Sequence, residues 1–198
     1  MRQATLNLRT QRKILAQTAL GALVSIEPHT GNKHLLYAPP AGDAGDLNGR
    51  AMWLSNSKIV FSVGVDEFQI ASLDYMKLSS WKADAFYSEL HPTKEDELWA
   101  MAHGRDSSEL VQLKDGKRIK TISVPMRTID GPNANGLIVG GTDDGLKLIH
   151  ANDGRVQSLT SEPGDSEPLW AADGKQIAFS RRVRSGSSAT LCITTLKD

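Results

Sequence analysis

Apolar residues in this chain come in short runs of about four to seven, broken by Gly, Asn, Asp, Ser and Pro. Five of these runs fall into register: Lys13-Ile-Leu-Ala16, Lys58-Ile-Val-Phe61, Glu97-Leu-Trp-Ala100, Gly136-Leu-Ile-Val139 and Gln176-Ile-Ala-Phe179. Their centres lie about 40 residues apart, with the first gap a few residues longer. Each is followed by a polar break and a second run: Ala22-Leu-Val-Ser-Ile26, Gln69-Ile-Ala-Ser-Leu73, Glu109-Leu-Val-Gln-Leu113, Leu146-Lys-Leu-Ile-His150 and Thr190-Leu-Cys-Ile-Thr194. Such a chain builds one small unit several times, and a unit of this size cannot bury both of its faces unaided.

The units read as strands joined by tight turns. His29-Thr-Gly-Asn32 leads into Lys33-His-Leu-Leu-Tyr37, Lys114-Asp-Gly-Lys117 into Arg118-Ile-Lys-Thr-Ile122, and Asn152-Asp-Gly-Arg155 into Val156-Gln-Ser-Leu159. Asp-Gly supplies the positive φ that two-residue hairpins need. A four-stranded antiparallel unit with this period is a β-propeller blade. The expected fold is therefore all-β: one domain over residues 1–198, a β-propeller of about five short four-stranded blades. The repeat units run approximately over 9–40, 47–84, 85–124, 125–161 and 166–198. The last unit ends after its third strand. Gln3-Ala-Thr-Leu-Asn-Leu8 is an extra strand, and two placements are open for it: a clasp completing the last blade, which is preferred, or the inner strand of the first. An open ring, part of a larger propeller, is a third arrangement.

The clearest unit carries Trp170-Ala-Ala-Asp-Gly-Lys-Gln-Ile-Ala-Phe-Ser180, which resembles the Trp-Ser-Pro-Asp-Gly-Lys-x-Ile-Ala-Phe motif of TolB-type, WD40-like propeller repeats. Thr190-Leu-Cys-Ile-Thr-Thr-Leu196 looks like that family's third strand. The match covers about 30 residues of the last unit. It is weaker at Trp53-Leu-Ser-Asn-Ser-Lys-Ile-Val-Phe-Ser62, and only a pattern in the other three units. Ala171-Ala172 stand where the family has Ser-Pro. The resemblance implies a propeller fold. It brings no catalytic residues, because the motif is structural.

Composition excludes several function classes. The 198 residues carry 23 basic and 23 acidic side chains, a formal net charge of zero, so nothing in the balance points to nucleic acid. No run of about eighteen apolar residues is present, so no transmembrane helix is expected. Gln17 and Thr18 interrupt the apolar run after Lys13, which reads as a strand rather than an export signal and favours a cytoplasmic over a periplasmic location. Cys192 is the single cysteine and reads as a small buried apolar residue. Trp53, Trp81, Trp99 and Trp170 recur near the repeat spacing and read as packing between blades.

Ligands of propellers meet the central channel or the face that carries the loops between second and third strands. Those loops are Val63-Gly-Val-Asp-Glu67, Ala102-His-Gly-Arg-Asp-Ser-Ser108, Gly140-Gly-Thr-Asp-Asp-Gly145 and Arg181-Arg-Val-Arg-Ser-Gly-Ser-Ser188. Candidate binding residues are His103, Arg105, Asp106, Asp143, Asp144, Arg181, Arg182 and Arg184. The arginines present forks suited to a carboxylate or phosphate. Their bland alternative is a solvated hairpin loop paired with Asp143 or Asp144. The adjacent carboxylates Asp143 and Asp144 lack the alternating spacing of a Ca²⁺ loop. The five histidines show no zinc spacing. There is no Gly-x-Ser-x-Gly elbow, phosphate loop or dinucleotide fingerprint, so no catalytic residue, metal or cofactor is assigned. The favoured reading is a non-enzymatic module presenting loops to a protein or peptide. The alternatives are a lactonase- or glycosidase-like propeller enzyme, with Asp66, Asp106 and Asp143 first to test, and a sensor or accessory fragment of a larger propeller protein.

Overall fold

The computed structural model describes residues 3–6, 13–18, 21–39, 51–54, 58–63, 67–72, 77–93, 97–104, 108–182 and 188–196. These residues hold nineteen strands in five sheets, and no helix. The first sheet is β1 (Gln3–Leu6), β2 (Ile14–Gln17), β3 (Leu23–Ile26) and β4 (Lys33–Tyr37); the second is β5 (Met52–Trp53), β6 (Lys58–Val63), β7 (Glu67–Ser72) and β8 (Lys77–Lys82). The third is β9 (Phe86–Pro92), β10 (Glu97–His103), β11 (Ser108–Lys114) and β12 (Lys117–Ile122); the fourth is β13 (Thr128–Asp130), β14 (Leu137–Thr142), β15 (Gly145–His150) and β16 (Val156–Ser158). The fifth is β17 (Asp165–Trp170), β18 (Gln176–Arg182) and β19 (Ala189–Thr195). In each sheet the strands neighbour one another in chain order.

In the first four sheets the two in-register runs of each repeat form the middle strands, as their spacing predicts; in the fifth the first run forms the middle strand β18 and the second forms β19. The Asp-Gly turn between β11 and β12 takes positive φ at both residues, 49° at Asp115 and 75° at Gly116. This twist matches that of the flanking strands. One expectation is corrected. The preferred clasp role for the N-terminal strand does not hold, because β1 pairs with β2 from Gln3↔Gln17 to Leu6↔Ile14 and is the inner strand of the first sheet. A strand joined to its neighbour by a short connection closes a small loop, which costs less entropy than bridging distant parts of a chain. A second difference lies in Gly140-Gly-Thr-Asp-Asp-Gly145. Its first three residues continue strand β14, and the turn is just Asp143-Asp144. Glycines that read as a loop are here a strand packed too closely for side chains: a Cβ on Gly140 would fall inside the Met126 side chain, and one on Gly141 would lie 2.9 Å from Thr128 Oγ1.

The inner strand β17 carries a bulge. Ser166 pairs with Ser180 but Leu169 with Ala178, so Glu167 and Pro168 share one partner position, and Glu167 takes φ 52°. Proline cannot donate to a ladder, and a bulge is where a sheet tolerates it. Glu89 in β9 adopts the same φ of 52°.

The chain divides into two compact units, residues 1–98 with 113–118, and residues 99–112 with 119–198. In the first, Leu15, Leu23, Ile59 and Phe61 are buried together, with Trp53 and Tyr37 packed against them. The Tyr37 and Phe61 rings sit 5.0 Å apart. Gly116 packs on Trp81 so closely that a Cβ there would enter the indole. Arg118 Nε donates to Asp84 Oδ2 at 2.8 Å and to the Tyr87 hydroxyl at 2.9 Å, and that hydroxyl donates to Asp84. Burial, together with the hydrogen bond to Asp84, pushes the Tyr87 phenol up to about 12.

In the second unit Trp99, Met101, Leu110, Ile122, Met126, Ile129, Ile138 and Ile149 form one cluster. Val139, Leu146, Ile177 and Phe179 form another, with Trp170 and Cys192 packed against it. Polar ties fix the fourth sheet to the fifth. Trp170 N donates to Asp130 Oδ2 at 2.6 Å, Trp170 Nε1 to Asp130 O at 3.2 Å, and Asn133 Nδ2 to Gly174 O at 3.1 Å. The Trp-turn motif is thus a clamp between consecutive sheets.

Gly145 has φ 105°, and a Cβ there would lie 2.7 Å from the backbone oxygen of Thr160. No rotamer change relieves a clash with backbone. Gly145→Ala is expected to cost about 2–3 kcal/mol, lowering Tm by roughly 4–10 °C, measured by thermal denaturation.

Candidate binding surface

Within the second unit, three connections between second and third strands carry the candidate residues. The β14–β15 turn is braced from inside by Thr142, whose hydroxyl donates to Gly145 O at 2.8 Å and accepts from Asp144 N at 3.2 Å. This leaves Asp143 and Asp144 exposed at the tip. The Asp143 carboxylate pairs with Arg127, and both side chains are largely exposed, so the pair adds little stability.

At the β18–β19 connection, strand alternation separates two neighbouring arginines. Arg181 turns inward opposite Asp165 on β17. Its Nε and Nη2 bind the two carboxylate oxygens at 2.6 and 2.8 Å, and its guanidinium lies 5.4 Å from the Phe179 ring centre. The Asp165 side chain is fully buried, while that of Arg181 is 38% exposed. Burial opposes the Asp165 charge, but hydrogen bonds from Arg181 and Thr160 outweigh it and hold the carboxyl below its ordinary range. The same bond raises Arg181. The partner of Arg181 is thus Asp165, and Asp143 pairs with Arg127 instead. Arg182 turns to the opposite face, with its backbone N–H donating to Gly164 O at 3.0 Å and its side chain exposed.

At the β10–β11 connection, His103 Nδ1 lies 3.3 Å from Ser108 Oγ. Arg105, Asp106, Arg184 and Asp66 lie outside the described residues. Asp165 is the residue that sequence reasoning missed. Its signal is the pairing register alone, since it lies 16 positions from Arg181 with no motif joining them.

A separate cleft of about 180 Å³ lies between Asp130–Ala134 and Trp170–Gly174. Its polar groups serve structure. Asp130 binds Trp170, Asn133 Oδ1 accepts from the N–H groups of Asn135 and Leu137, and Asp173 Oδ1 accepts from Lys175 N. Among the described residues, no three His, Cys, Asp or Glu side chains gather as metal ligands would. Among the same residues, no helix is long and apolar enough to cross a membrane, which says nothing of a β-barrel.

No protein-family model and no curated protein matches the chain. Solved structures do match. The β-propeller domain of Cps50 (Swd1) from Myceliophteria thermophila superposes with a TM-score of 0.66 at 15% identity, covering 90% of this chain and 61% of that one. An oligogalacturonate lyase in complex with manganese gives 0.68 at 12% identity, covering 91% and 56%. The C-terminal WD40 domain of Sif2 gives 0.62 at 13% identity, covering 90% and 51%. The fold is therefore all-β and of the WD40-like β-propeller type. The chain spans less than two thirds of the length of each of these structures.

Removing Asp165 leaves Arg181 without its partner, although water reaches the exposed part of the guanidinium. Asp165→Ala is expected to cost about 2–3 kcal/mol, below the loss typical of a wholly buried pair. Because the folded carboxyl titrates below the ordinary 3.8, its contribution is complete above that value and is lost as pH falls through the folded value. Chemical denaturation across pH should show a constant gap between wild type and Asp165→Asn near neutrality, closing under acid conditions.

Proposed function

We propose that the chain is a non-enzymatic β-propeller binding module, one domain over residues 1–198, that presents strand-connecting loops to a protein or peptide partner. The observation that carries this reading is how the loop bases are built. Arg181 is locked to Asp165 and Thr142 braces its turn from inside, while Arg182, Asp143 and Asp144 stand exposed beside them. Rigid bases lower the entropy cost of binding. The similarity to two WD40 or propeller domains, Swd1 and Sif2, supports the same class of role. The proposed contacts are His103, Arg105, Asp106, Asp143, Asp144, Arg182 and Arg184, with Arg181 holding the strand end in place. The exposed Arg182, with Arg184 two positions on in the sequence, suits a carboxylate-bearing peptide.

A second reading has one supporting observation, the similarity to a propeller lyase. On this reading Asp66, Asp106 and Asp143 are the first carboxylates to test. The coverage of 51% to 61% of the matched structures supports a third reading, an accessory fragment of a larger propeller protein. Light scattering after size exclusion tests the third, with a clean monomer counting against assembly from incomplete rings.

The binding module is tested with an array of acidic and neutral peptides, followed by anisotropy titration of the best binder. Binding in the micromolar range is expected, weakened about tenfold by the double variant Arg182→Glu, Arg184→Glu. Binding that ignores both substitutions, or metal-dependent turnover of a sugar substrate abolished by Asp106→Ala, would sink the proposal.

A further inference from the structure

The chain from Leu159 to Asp165, between β16 and the start of β17, meets the bases of both the β14–β15 and the β18–β19 connections. At one end it holds the start of β15. Leu159 N and Thr160 N donate to Leu146 O at 2.9 and 3.3 Å, and Leu146 N donates back to Thr160 Oγ1 at 3.0 Å. Gly145 lies so close that a Cβ there would sit 2.9 Å from the Thr160 hydroxyl. At the other end it holds the tip of β18. The Asp165 carboxylate binds the Arg181 fork, and Gly164 O accepts from Arg182 N at 3.0 Å. A Cβ on Gly164 would fall inside the Arg182 backbone, so this close approach needs glycine.

One hydroxyl joins the two ends. Thr160 Oγ1 accepts from Leu146 N and donates to the Asp165 carboxylate. Its single proton has one direction to take, because a backbone N–H can only donate and a carboxylate can only accept. Leu146 N–H, the Thr160 hydroxyl, Asp165 and Arg181 therefore form a chain in which each member orients the next. On the turn side Thr142 extends the order to the tip, bridging Gly145 O and Asp144 N. The Asp165 side chain is fully buried, so a broken link there leaves a polar group that water cannot satisfy.

We propose that Thr160 is a positioning residue that couples the β14–β15 turn to the strand end at Arg181 and Arg182, so that ordering one loop base orders the other. The use of this coupling rests on the binding-module reading, since the exposed Asp143, Asp144 and Arg182 stand on those two bases. A partner engaging one tip then finds the other already ordered, which lowers the entropy cost of the second contact.

The test reads amide exchange by NMR in the protein alone. Thr160→Val keeps the side-chain shape and removes the hydroxyl. Exchange should speed about tenfold at Leu146 and Asp144, and also at Arg182, whose own N–H is bonded to Gly164. The turn amides of Gly154 and Gly174, bonded to His150 O and Ala171 O outside this chain of groups, should keep wild-type rates. Thr160→Ser should restore all three affected amides. Coupling is reciprocal, so Arg181→Lys should speed Leu146 and Asp144 by at least about threefold. That variant decides the matter if Thr160→Val does not fold. An acidic peptide that binds wild type should bind Thr160→Val about fivefold more weakly. Faster exchange at Arg182 with no peptide bound by any form removes the binding module and leaves the coupling standing. The coupling is overturned by exchange changes confined to Leu146 and Asp144, by equal changes at Gly154 and Gly174, or by an Arg181→Lys variant in which Leu146 and Asp144 keep wild-type rates.

Discussion

A sheet of four short strands has two broad faces and no interior, so its apolar side chains are buried only when another sheet lies against them. That constraint organises the chain. It explains why several middle strands are buried in unbroken runs, as at Ile59–Phe61, Leu98–Ala102 and Ile138–Thr142, and why the clusters join residues from consecutive sheets, as when Val139 and Leu146 of the fourth meet Ile177 and Phe179 of the fifth. It also explains the glycines of β14, where the backbone approaches Met126 and Thr128 too closely for any side chain. Packing density matters here because a gap between sheets forfeits dispersion contacts along its whole length.

Polar groups then set the alignment that apolar contact leaves free. Asp130 receives both the backbone and the indole N–H of Trp170 through its carboxylate and its carbonyl, tying strands 40 positions apart in the chain. Asp165 and Arg181 do the same inside the fifth sheet. Lys120 donates to the carbonyls of Ala151 and Asn152 at 2.6 and 2.5 Å, capping the turn of the next sheet. These bonds are directional where hydrophobic contact is not, so they select one alignment among many that would bury similar area.

The repeat was legible because period, apolar runs and Asp-Gly turns are local properties of the chain. The role of Trp170 was also legible, since an aromatic before a tight turn at repeat spacing has few places to go. The Arg181–Asp165 pair was not, because it depends on strand register and on which of two adjacent arginines turns inward. The strand character of Gly140-Gly-Thr142 was hidden for a related reason: glycine marks a turn and a close approach equally well, and the neighbour's distance decides between them. Glu89 and Glu167 gave no warning of positive φ, because glutamate has no local hydrogen bond that favours it. The N-terminal strand was ambiguous because its apolar alternation suits either edge.

The bulge at Glu167 and Pro168 settles a question of parity. With both residues opposite one partner, Trp170 pairs with Ile177 and shares its covered side, while Leu169 faces out. In an unbroken ladder of the same length the two would exchange sides. The indole would turn away from Asp130, and the clamp between the fourth and fifth sheets would be lost with every residue still present. Part of what holds these sheets together is thus arithmetic: one surplus residue in β17, invisible to composition, decides which side of the strand its aromatic anchor occupies.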